Sequence, residues 1–121
     1  MSETEGARVF REAWISGVKK HFPGEPKAGY VTPWEETPEW ERQAAGAVYE
    51  QVRQLLDLSA GYASRLSREQ KGRFVATSWT AQMFKHFEEP KPGYVADWPD
   101  LPDWQKETDS DIFQAIEDSL K

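Results

Sequence analysis

The sequence predicts an all-α fold of four main helices, set out as two tandem, pseudo-symmetric helix-loop-helix units with short extended loop segments. Three observations carry this. The chain repeats itself, its apolar residues recur at helical spacing, and prolines and glycines gather between the periodic stretches.

The repeat is read by offset. At 65, Ser2, Arg8, Trp14, Lys20, His21 and Phe22 fall on Ser67, Arg73, Trp79, Lys85, His86 and Phe87. After one deleted residue the offset is 64, and Glu25, Pro26, Lys27, Gly29, Tyr30, Val31, Trp34, Pro38 and Trp40 fall on Glu89, Pro90, Lys91, Gly93, Tyr94, Val95, Trp98, Pro102 and Trp104. Beyond Trp40 only residue type persists: Val48 faces Ile112, Tyr49 faces Phe113, and Val52 faces Ile116. The repeats are therefore 2–56 and 67–120, joined by a connector at 57–66, within one domain covering 1–121.

Each element follows from local chemistry. In the first helix Ala7, Phe10, Trp14, Val18 and Phe22 share one face, and Val75, Trp79, Met83 and Phe87 do so in its copy. Ser2 with Glu5, and Ser67 with Gln70, have the form of a capping box. The second helix of each unit begins near Pro38 and Pro102, with Thr37 available to cap the first. Trp40, Ala44, Ala47, Val48, Val52 and Leu55 form its apolar stripe, echoed by Trp104, Ile112, Ala115, Ile116 and Leu120. The loop Pro-Lys-x-Gly-Tyr-Val ends in two residues with β preference. Under a pseudo-twofold relation, Tyr30-Val31 and Tyr94-Val95 would pair as a small antiparallel ribbon.

Charge and composition narrow the function. The formal charge of -6 divides evenly, with 7 Lys and Arg against 10 Asp and Glu in residues 1–60, and 8 against 11 in residues 61–121. No basic stripe stands out, and Arg65, Arg68, Lys71 and Arg73 are too small a cluster, so nucleic acid is disfavoured as a partner. The absence of cysteine excludes disulfides, thiolate metal sites and a Cys nucleophile. The acidic start lacks the pattern of a secretory signal, and no apolar run approaches a membrane span, so the expectation is a soluble cytoplasmic protein without a membrane.

The residues that could carry chemistry are few. His21 and His86 occupy the same repeat position at the end of the first helix, and no orienting carboxylate and nucleophile repeat with them, so no catalytic residue is assigned. Neither His-Glu-x-x-His nor a calcium loop is present, so no metal site or cofactor is assigned. The ordinary reading of the two histidines is a favourable place at a helix C-terminus. Trp34 and Trp98 read first as loop anchors. With Tyr30 and Tyr94 they could also line clefts for a planar ligand, with Lys27 and Lys91 reaching an anionic group. The candidate binding set is therefore His21, Lys27, Tyr30, Trp34, His86, Lys91, Tyr94 and Trp98. Residues 97–118 hold eight acids against Lys106, which reads as a solvated helix face or a negative surface for a basic partner.

Pro33-Trp34-Glu35-Glu36-Thr37-Pro38-Glu39 and Asp97-Trp98-Pro99-Asp100-Leu101-Pro102-Asp103 resemble the loop-to-helix segment of the ryanodine-receptor-type repeat domain. In that family an aromatic and acidic run with a Leu-Pro-Glu-like turn opens a charged helix. Thr37 stands where the pattern has Leu, and the resemblance does not reach the first helix or the Pro-Lys-x-Gly-Tyr-Val loop. It implies a small paired helical module, of a kind found in bacteria, that binds and is not an enzyme.

The expectation is a non-enzymatic interaction module presenting duplicated aromatic loops to a protein partner. Two alternatives stay open: a ligand-sensing module with two equivalent aromatic and lysine pockets, and an acidic inhibitor of a basic or nucleic-acid-binding partner. A homodimer is compatible with all three.

Overall fold

The computed structural model describes residues 3–121. Among them lie four α-helices, α1 (Glu3–His21), α2 (Glu39–Leu58), α3 (Arg68–His86) and α4 (Asp103–Ser119), joined by 3-10 turns and no strand. The all-α, four-helix expectation holds. Helix α1 packs along α2 and along α4, while α3 packs along α4 and, over a shorter stretch, α2.

The predicted stripes form the interior. Val18, Val48, Val52, Val75, Met83, Ile112, Phe113 and Ile116 are fully buried, with Ala7, Phe10 and Tyr49 beside them. Burying each such aliphatic side chain contributes about 1.5–3 kcal/mol before the entropy of ordering it is deducted. Tyr49 lies so close to α1 that a Cβ on Gly6 would fall 2.2 Å from its ring, which is why that turn of the helix carries a glycine. Leu120, expected on the stripe of α4, falls just past the helix end and is exposed.

The capping box at Ser67 is made in both directions, Gln70 N–H donating to Ser67 Oγ at 3.1 Å and Ser67 N–H to Gln70 Oε1 at 2.9 Å. Its counterpart at Ser2 falls outside the described residues. Thr37 does not cap α2. Its hydroxyl donates backwards to Pro33 O at 2.9 Å, and Pro38 holds the cap position, its carbonyl accepting from Glu41 and Arg42 N–H. The connector closes on Gly61, in the left-handed region at φ 85°, whose N–H returns to Leu56 O at 2.7 Å.

The ribbon expected between the two loops is absent. Both Tyr-Val segments curl into 3-10 turns, over Ala28–Val31 and Pro92–Tyr94. Tyr30 N–H donates to Lys27 O and Tyr94 N–H to Lys91 O, both at 2.9 Å, so backbone groups that a ladder would have satisfied are satisfied locally. The β preference of Tyr and Val is overridden in both loops, and the first turn delivers the Tyr30 ring to a cluster of Trp14, Phe22 and Trp104.

Candidate functional site

Those clusters interlock the two repeats. Phe22 and Tyr30 of the first copy meet Trp104 of the second, with ring centroids 4.9 and 5.7 Å from the indole. Trp14 joins them, 5.8 Å from Trp104, and its Nε1 donates to Tyr30 O at 2.9 Å. In the corresponding arrangement Phe87 of the second copy lies 4.9 Å from Trp40 of the first and 6.4 Å from Tyr94. Trp104 thus holds the first loop directly through Tyr30, whereas Trp40 meets the end of α3 at Phe87, and Tyr94 of the second loop leans on Phe87 alone. Phe10 and Trp79 stack at 5.5 Å between α1 and α3.

Several of these rings line a cavity of about 680 Å³ that opens to solvent. Phe10, Trp14, Tyr30, Trp34, Trp40, Trp79, Tyr94 and Trp104 line it, drawing aromatic faces from both copies into one space instead of two separate clefts. Lys27, Lys91, Gly29 and Gly93 also belong to its lining and are exposed, so they mark the mouth. Lys27 Nζ lies 5.8 Å from the Tyr30 ring centroid, close enough for a cation–π contact.

Of the candidate binding residues, Lys27, Tyr30, Trp34, Lys91 and Tyr94 are brought together here, and His21, His86 and Trp98 are not. Trp34 is buried as a loop anchor, with the Arg42 guanidinium 4.6 Å from its ring and Arg42 Nε donating to Thr37 O at 3.0 Å. Trp98 lies over Gly72, where a Cβ would come within 2.6 Å of the indole, and Arg73 and Lys106 each approach its ring at 5.8 Å. His21 bonds Asp111 at 2.8 Å, tying the end of α1 to α4. His86 lies beside Trp40 at 6.3 Å, with a buried Nε2 that has no partner among the described residues.

Three pairs of wall rings match by offset, Trp14 with Trp79, Tyr30 with Tyr94 and Trp40 with Trp104, but Phe10 and Trp34 have no counterpart in the wall and its buried polar groups do not repeat. Arg11 is 3% exposed and fully engaged: Nη1 donates to Glu41 at 2.7 Å, Nε and Nη2 to Thr32 O at 3.1 and 2.8 Å, and Nη2 to Gly29 O at 3.1 Å. Burial pushes the Glu41 carboxyl above its ordinary range, against the pull of Arg11, and it lowers the Arg11 guanidinium from its own high value. By offset the equivalents of these two residues are Ala76 and Gln105, which line the same cavity.

Asp109 breaks the repeat in the other direction. Its equivalent is Ala45, only 2% exposed, yet the carboxyl of Asp109 is 5% exposed in the cavity wall and its Oδ2 has no hydrogen-bond partner among the described residues. Burial pushes it well above the usual carboxylate range. The neighbouring hydroxyls are satisfied, Thr108 donating to Trp104 O at 2.7 Å and Ser110 to Arg68 O at 2.9 Å. The expectation of a solvated face at this point of α4 therefore fails: Thr108, Asp109 and Ser110 all face inward.

Much of the remaining acidic stretch is paired within the chain. Arg68 reaches Glu107 at 2.8 Å and Asp111 at 2.7 Å, and Lys71 reaches Glu117 at 3.1 Å. In the sequence Arg11 and Glu41 carry no mark, and Asp109 reads with Ser110 and Asp111 only as polar residues in mid-helix that narrow the core face, an expectation that the burial of Asp109 and Ser110 corrects. The signal lay in the mismatches, above all a carboxyl at a position where the other copy has a buried alanine.

Compared with known proteins, the chain matches no family model, no curated protein and no solved structure.

Proposed function

We propose that this chain is a small, non-enzymatic binding module whose shared cavity takes a planar small molecule, with Lys27 and Lys91 receiving an anionic group at the mouth. The observation that carries this reading is the wall of eight aromatic rings around about 680 Å³, a volume within the range of small-molecule sites. Stacking on indole and phenol faces supplies affinity, and the exposed lysines supply charge, Lys27 from its place beside the Tyr30 ring. The local resemblance of the loop-to-helix segments to a repeat family of binding modules agrees with it.

The inhibitor reading is weaker, because Arg68 and Lys71 neutralise part of the acidic run that would have to face a basic partner. Presentation of the loops to a protein remains a second reading, favoured by the exposure of Tyr94 beside Lys91 and Gly93 at the rim. There a partner's aromatic side chain would occupy the same cavity.

The test is intrinsic tryptophan fluorescence titrated with planar anions: nucleoside monophosphates, indole-3-acetate and flavin mononucleotide. Saturable quenching with a matching rise in melting temperature supports the proposal, a ligand at 100 times its Kd adding about 2.7 kcal/mol. Lys27→Ala with Lys91→Ala should weaken anions, and Tyr30→Ala with Tyr94→Ala should weaken all of them. A flat response across the panel overturns the small-molecule reading.

A further inference from the structure

Resting on the binding reading above, we infer that Asp109 is the specificity-determining contact of the cavity. Its ligand class is the aminated nitrogen heterocycle, a planar ring whose nitrogen lies next to an exocyclic amino group.

The argument begins with what surrounds the carboxyl. It is among the residues that line the cavity, 5% exposed, with Oδ2 sealed and unpartnered, so a turn of the side chain is needed to bring both oxygens to a ligand, whereas the mouth lysines are already exposed. Arg11, the buried cation of the same wall, has all three guanidinium nitrogens engaged by Glu41 and two backbone carbonyls, and leaves Asp109 without a counter-charge from that side. The hydroxyls on either side in the chain are bonded elsewhere. A buried polar group without a partner is uncommon, because it loses its hydration and gains nothing in return. Ala45 at the equivalent position shows that the repeat packs without a carboxyl there.

The chemistry then selects a partner. A carboxyl group in a plane can make two parallel hydrogen bonds to a ring nitrogen and the amine beside it. The pairing works with the proton on either side: a neutral acid donates to the ring nitrogen and accepts from the amine, and a carboxylate accepts from both. A flat ring presenting that edge inward would lie among the indoles while an attached anionic group reached the lysines at the mouth. Purely apolar aromatic ligands would leave Asp109 unpaired.

The experiment compares matched pairs on the full chain by fluorescence titration: guanosine monophosphate with inosine monophosphate, and 2-aminobenzimidazole with benzimidazole. Each pair differs in the amino group next to a ring nitrogen. The wild-type protein is expected to bind the aminated member at least about tenfold more tightly, and Asp109→Ala to reduce that preference to less than about twofold. Equal affinities within the pairs overturn the inference even if Asp109→Ala fails to fold, and so does a preference that survives the substitution. Binding of planar anions with no amino preference defeats this inference alone, whereas no binding by any of them defeats the module reading as well.

Discussion

Replacing Asp109 by alanine should make the protein more stable at neutral pH. The native chain buries this carboxyl at 5% exposure with Oδ2 unpaired, and burial holds its pKa well above the ordinary value. At pH 7 it can stay charged against the cost of desolvation or take up a proton. The second route costs at most about 4 kcal/mol, the free energy of protonating an ordinary aspartate of pKa about 3.9 at that pH. Unsatisfied buried polar groups generally cost about 1–3 kcal/mol. Asp109→Ala should recover an amount of that order, less the packing lost with the carboxyl, and raise the melting temperature by roughly 4 °C per kcal/mol.

The pH dependence fixes the sign. A carboxyl whose folded pKa is raised favours the native state fully below its unfolded pKa and loses that contribution as pH rises through the folded value. The advantage of the alanine variant should therefore be largest at pH 7 and shrink or reverse near pH 3.5. Urea denaturation of both proteins at the two pH values measures it. A variant that is destabilised equally at both would show that the carboxyl makes a native bond independent of its charge, and would refute the reasoning.

Arg11→Ala should cost on the order of 3 kcal/mol in denaturant unfolding, since it strands Glu41 and the Gly29 and Thr32 carbonyls; replacing Glu41 as well should recover part of the loss. Gly6→Ala should cost about 1–3 kcal/mol because the new methyl meets the Tyr49 ring, whereas Gly29→Ala, with open space around it, should change stability by less than about 1 kcal/mol. Asp111 is partly buried, which raises its pKa, but bonds from Arg68 and His21 prevail and hold it below the usual range. Its contribution is present above the unfolded pKa and fades as pH falls through the folded one, so Arg68→Ala should lose up to about 1 kcal/mol at pH 7 and flatten the acid limb of the stability profile.

The helices were legible because periodicity and caps are local. Ala7, Phe10 and Val18 on α1 lie where their spacing puts them, and the Ser67 capping box closes as its two residues demand. The Tyr30 loop departs from its local preference for the opposite reason: its ring reaches Trp104 in the other half of the chain, a contact that no neighbour in the sequence announces, while Tyr94 curls back only as far as Phe87. Arg11, and the burial of Asp109, escape a reading built on likeness between the copies, since both residues stand where the copies disagree. Lys27, Tyr30, Trp34, Lys91 and Tyr94 were found because repetition exposed them, although the pattern could not say that they would share one space.

The exchange of tryptophans between the copies makes each half structurally dependent on the other. A polypeptide carrying one unit would hold Phe22 and Tyr30 with no Trp104 to receive them, and would have to borrow that indole from a second molecule. Cleavage at the Gly61 bend should accordingly leave two fragments that reassemble, and shortening the gene to a single unit should yield a chain that is folded only as a pair.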